Sequence, residues 1–151
     1  MKSDIVFLEK KINILKEKYL VYQSNNSVDN DELYECLCDI LTWFEICIKN
    51  IDEICDSKER EKISAIKYAN NMKKHSSSIF EYTLKEYALL PSDNLYPSDN
   101  LLPSDFNIVW NILPLDDSKY KNQFKNYKKY LRGRNILETV EDIYSIIKTY
   151  L

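Results

Sequence analysis

A single glycine, Gly133, occurs in 151 residues, and three of the four prolines sit together between Pro91 and Pro103. A chain so poor in backbone breakers cannot supply the tight turns of a many-stranded sheet, but it can run as long helices. The apolar spacing agrees. Ile5, Leu8, Ile12, Leu15 and Tyr19 recur three and four apart and predict a first helix over Ser3–Gln23. Leu33, Leu37, Ile40, Leu41, Phe44, Ile48 and Ile51 predict a second, opening near Asp29 or Asn30. Asp56 and Glu59 form a capping box that starts a third near Ser57, continuing towards Ala88 on Ile63, Ile66, Ala69, Ile79, Phe80, Leu84 and Tyr87. A fourth spans about Ser118–Arg132, ended by Gly133. A fifth follows the Asn135–Glu138 capping box to Tyr150. The expected fold is all-α: one domain over 1–151, an antiparallel bundle of about five helices with a long irregular loop between helices three and four.

That loop contains a tandem repeat, Pro91-Ser-Asp-Asn, Pro97-Ser-Asp-Asn and Pro103-Ser-Asp, whose residues favour turns. Phe106 to Pro114 is apolar and reads as an extended segment laid on the bundle. Net charge is −3 with pI near 5.3, which excludes a generally basic nucleic-acid coat. The N-terminus lacks the apolar run of a secretion signal, and no stretch is apolar enough to span a membrane, so a cytoplasmic protein without membrane attachment is expected. Cys36, Cys47 and Cys55 share a helical face and suit small packing groups. With one histidine in the chain, no metal site and no cofactor are expected.

Two stretches carry chemistry. Asn70, Asn71, Lys73, Lys74 and His75 replace the apolar stripe of the third helix with amides, cations and the only imidazole. The segment Lys119–Arg134 interleaves seven cations with Tyr120, Phe124, Tyr127 and Tyr130. Such a pattern can stack bases and neutralise phosphates, or form a plain amphipathic helix with a solvated lysine face.

Tyr68-Ala-Asn-Asn-Met-Lys-Lys-His75 resembles the motif of HEPN domains, small helical proteins of prokaryotic toxin–antitoxin and defence systems, which carry an arginine, a polar residue and a histidine. A further likeness to uncharacterised bacterial HEPN-like proteins runs through Trp110–Pro114, Tyr127–Arg134 and Thr139, about the C-terminal half. The resemblance implies metal-independent RNA cleavage by a homodimer. His75 would move the proton of a ribose 2′-hydroxyl, Asn71 would position it, and Lys73 and Lys74 would contact RNA. Asn70 stands at the arginine position and brings no charge. Losing such a stabiliser costs on the order of a hundredfold in rate unless Lys73, Lys74 or Arg60 replaces it. The resemblance therefore implies a weak or inactive ribonuclease. The alternative is a non-catalytic helical interaction module, such as an antitoxin, an immunity protein bound to a cognate partner, or a dimeric scaffold. In either case an exposed apolar surface around helices two and three is expected to drive homodimerisation.

Overall fold

The computed structural model describes residues 2–74, 78–83, 106–112 and 118–151. Among these the chain is all-α apart from one two-stranded sheet. Five helices follow in order: α1 (Lys2–Asn25), α2 (Asn30–Ile48), α3 (Ser57–Lys74), α4 (Lys121–Tyr130, preceded by a 3-10 turn at Ser118–Tyr120) and α5 (Ile136–Tyr150). Helix α1 packs on α2 and α5, α2 on α3, and α3 along α4. The PSDN repeat lies outside the described residues, as do Leu84, Tyr87 and Pro114.

Local chemistry sets the helix starts. At α2 the Asp29 carboxylate accepts the Glu32 amide at 3.1 Å. At α3 the box closes both ways, Glu59 N to Asp56 Oδ1 at 2.8 Å and Asp56 N to Glu59 Oε1 at 3.0 Å. At α5 Asn135 Oδ1 accepts Glu138 N at 3.0 Å. Gly133 takes φ +71°, the left-handed conformation its position after α4 demands.

The third helix is shorter than its periodicity suggested. It stops at Lys74, and Phe80–Thr83 form strand β1, antiparallel to β2 (Asn107–Trp110), with Phe80 opposite Trp110 and Tyr82 opposite Ile108. Phe80 and Tyr82, two apart, stack on one side of the strand at 6.5 Å. Of the residues expected to resume the helical stripe, Phe80 lies in β1 instead and shares a strand side with Tyr82, because β2 offers this backbone a partner. On its other side β2 is held by the α4–α5 turn: Trp110 N donates to Arg134 O at 3.1 Å, and Gly133 N donates to Trp110 O at 3.0 Å. The extended segment read at Phe106–Pro114 is thus a strand over Asn107–Trp110.

Leu8, Leu15, Leu33, Phe44, Ile63, Tyr68, Trp110, Tyr127 and Ile147 belong to one contiguous buried core. Cys36, Cys47 and Cys55 are buried in it, and burial pushes the Cys36 and Cys47 thiols up to about 11, so they stay protonated. Cys55 falls in the turn after α2 rather than within a helix. Tyrosines tie elements together through their hydroxyls. Tyr22 donates to Glu32 at 2.6 Å, Tyr150 to Glu59 at 2.5 Å, Tyr127 to the Asn111 carbonyl at 2.8 Å, and Tyr130 to Glu61. No helix among the described residues is long and apolar enough to cross a membrane.

Candidate functional site: a cleft between α2 and α3

Helices α2 and α3 run antiparallel, and each presents a polar stripe at one-turn spacing. Glu45, Lys49 and Asp52 come from α2 and the turn after it. Lys67, Asn70, Asn71 and Lys74 come from α3. The stripes flank a cleft of about 450 Å³ floored by the buried side chains of Leu41, Ile48 and Ile66. Tyr120 and Gln123 close one side, so the start of α4 reaches the same cleft.

The stripes meet as a ladder of opposite charges. Lys67 Nζ lies 2.6 Å from Asp52 Oδ2, and Lys74 Nζ 3.1 Å from Glu45 Oε1. Asn70 Nδ2 donates to the other Glu45 oxygen at 2.7 Å. Asn70 is only 4% exposed, and its Oδ1 is buried without a hydrogen-bond partner among the described residues. A buried unpaired acceptor costs about 1–3 kcal/mol. Burial pushes the Glu45 carboxyl up, but the hydrogen bonds from Lys74 and then Asn70 outweigh it and hold the group below its ordinary value of 4.5.

A folded-state pKa below the unfolded one stabilises the fold at higher pH. The contribution is complete above the unfolded value and is lost as pH falls through the folded one. The stability difference between the wild type and Glu45→Gln should therefore shrink as pH drops from neutral to below the ordinary value of 4.5. Urea denaturation at a series of pH values checks this. A difference that stays constant across that range would mean that Glu45 is not held ionised by Lys74 and Asn70.

The structure brings Asn70, Asn71 and Lys74 to one cleft. Lys73 projects to α2, where its Nζ donates to Thr42 Oγ1 at 2.8 Å. His75 lies outside the described residues. The three cations named as replacements for the family arginine all have other partners. Lys73 is on Thr42 and Lys74 on Glu45, while Arg60 donates to the Asp52 and Glu53 carbonyls at 3.1 and 2.7 Å, closing the turn after α2. Sequence reasoning missed Glu45 and Asp52. Their signal was the seven-residue spacing of Glu45 on α2 and Asp52 in the turn after it, matched by Lys67 and Lys74 on α3. Among the described residues no three His, Cys, Asp or Glu side chains are grouped to hold a metal ion. Comparisons with protein-family models, with curated proteins and with solved structures return no match to this chain.

Proposed function

We propose that this chain is a HEPN-like protein of a prokaryotic defence or toxin–antitoxin system that holds RNA on α4 and at the α2–α3 cleft, with metal-independent cleavage weak or absent. The observation that carries the reading is the fate of the arginine position. Asn70 is buried against Glu45, and the nearby cations Lys74, Lys73 and Arg60 are hydrogen-bonded to groups of the fold. Each of these three is thereby drawn away from the charge that builds on a phosphate during transfer.

Binding has better support than cleavage. No acidic residue occurs between Asp117 and Glu138. Lys121, Lys125 and Lys128 lie along one exposed stripe of α4 without an ion pair among the described residues, and exposed Arg132 extends it. Lys128 Nζ sits 4.5 Å from the centre of the half-buried Phe124 ring. The stripe starts at the same end of α4 that lends Tyr120 and Gln123 to the cleft, and a strand neutralised along α4 and turning around that end would reach the amides of Asn70 and Asn71.

The test is fluorescence anisotropy with a single-stranded RNA across a salt series, beside cleavage of a mixed RNA pool in EDTA. The triple change Lys121→Glu, Lys125→Glu, Lys128→Glu should weaken binding at least tenfold at low salt and flatten the salt slope by about 0.7 for each phosphate that is no longer neutralised. Wild type and His75→Ala should leave the pool equally intact. Absence of binding at low salt, or a triple variant that binds like wild type, would overturn the RNA reading. Cleavage abolished by His75→Ala would establish an active ribonuclease instead. A second reading, a non-catalytic interaction module, is favoured by one observation: the large apolar side chains left exposed on α1.

A further inference from the structure

Helix α1 is apolar on two opposite faces. Leu8, Ile12, Leu15 and Tyr22 are buried against α2 and α5. Directly opposite, Val6, Phe7, Ile14, Leu20 and Val21 form a second stripe, ranging from 38% exposed at Ile14 to 66% at Leu20. Five of the eight exposed large hydrophobic residues among those described are on this one helix; Tyr34, Ile54 and Ile112 are scattered elsewhere. The exposed apolar surface therefore belongs to α1 and not to α2 and α3, whose apolar stripes are in the core. Large apolar side chains gathered on one exposed helix face mark a contact face.

We propose that this stripe pairs with the same stripe of a second copy of the chain, the two α1 helices running antiparallel. The charges within the stripe select the partner. Only Lys10, Asn13 and Glu17 interrupt its apolar residues along the helix face. A two-fold axis passing between Asn13 and Ile14 sets Val6 against Val21, Phe7 against Leu20 and Lys10 against Glu17, each twice by symmetry. A parallel pair in register would instead oppose lysine to lysine and glutamate to glutamate. The flanking charges are already used within the fold: Lys11 pairs with Asp39 at 3.3 Å, Lys16 with Glu141 at 2.9 Å and Lys18 with Glu32 at 3.0 Å. Lys10 and Glu17 have no ion pair among the described residues; Lys10 Nζ rests 5.6 Å from the Phe7 ring centre. Phe7 also stacks on Trp43 at 5.1 Å, which fixes one end of the stripe in place before any partner arrives.

This pairing does not join the two clefts. The cleft is built by α2, α3 and the start of α4, while the stripe lies on α1, which contributes no residue to the cleft lining. Each copy would keep a cleft made wholly from its own residues, in contrast to the composite site that the resemblance implied.

Sedimentation equilibrium of the reduced full chain tests the pairing, with far-UV circular dichroism to confirm that each variant is folded. Wild type should dimerise reversibly. Lys10→Glu and Glu17→Lys should each raise the dissociation constant roughly tenfold, since each reverses two symmetric pairs. The double reversal should bring it back to within about threefold of wild type, because opposite charges again meet. Ile14→Asp, at the axis, should give monomer. A wild type that stays monomeric at the highest soluble concentration would overturn the proposal. So would a dimer indifferent to Ile14→Asp, or a double reversal no better than the single changes.

Discussion

Replacing Trp110 with alanine is expected to destabilise the fold by about 3–5 kcal/mol, a large share of the stability of a domain this size. Trp110 is fully buried, and three attachments meet on it. Its indole fills the core beneath the α4–α5 turn. Its backbone bonds to Arg134 and Gly133 close that turn over β2. Its Nε1 donates to Thr139 Oγ1 at 2.6 Å, anchoring the strand to the first turn of α5. The Thr139 hydroxyl lies 2.9 Å from the Asn135 carbonyl and 3.0 Å from that of Ile136, so its proton is directed there and its lone pair is free to accept the indole. Alanine leaves a cavity the size of an indole, and the cavity adds to the lost transfer free energy. Thr139→Val separates the two contributions. It keeps the volume but strands a buried N–H, at about 1–3 kcal/mol. Guanidinium unfolding followed by circular dichroism reads both. A loss below about 1 kcal/mol for Trp110→Ala would mean that β2 is not docked on α5 as described.

What the sequence made legible was local. The Asp56–Glu59 box, the Asn135 cap and the left-handed Gly133 each depend on residues within one helical turn, and each occurs where its motif stands. The expected third helix does not continue through Phe80–Thr83, because Ile79 and Phe80 are too short a run to separate a helical period from an extended one. The deciding factor was β2, separated from them by the whole repeat segment, and no local pattern announces a distant strand. The twelve tyrosines follow no motif, yet Tyr22, Tyr127, Tyr130 and Tyr150 tie helices and turns together by hydroxyl bonds to residues ten to ninety-one positions away. At the cleft, Asn70, Asn71 and Lys74 were visible as a polar interruption. The Asn70 bond to Glu45 was not, since the spacing of Glu45 and Asp52 matches the lysines of α3 and does not single out Asn70 until α3 lies beside α2.

That bond leads to the second large effect. Asn70→Asp is expected to cost about 3 kcal/mol or more near pH 7, although the two side chains have nearly the same shape. The wild-type amide lies 2.7 Å from Glu45 Oε2 and is buried, so the new carboxylate must bring an oxygen against an oxygen with little water to separate them. Burial and the like charge both raise the pKa of the introduced carboxylate above that of the unfolded chain. A carboxylate raised in the fold binds more protons there than in the unfolded state. The penalty is therefore full above its folded pKa and fades as pH falls towards the unfolded value near 4, opposite in sign to the behaviour of Glu45 itself. Adding Glu45→Gln reverses the pair, with the amide on α2 and the carboxylate on α3. It should recover at least half of the loss and remove most of its pH dependence. If the double variant is no more stable than Asn70→Asp alone, the cost comes from the unpaired Oδ1 side of Asn70 rather than from Glu45. Position 70 would then be set by the packing around its Oδ1 rather than by its bond to the glutamate of α2.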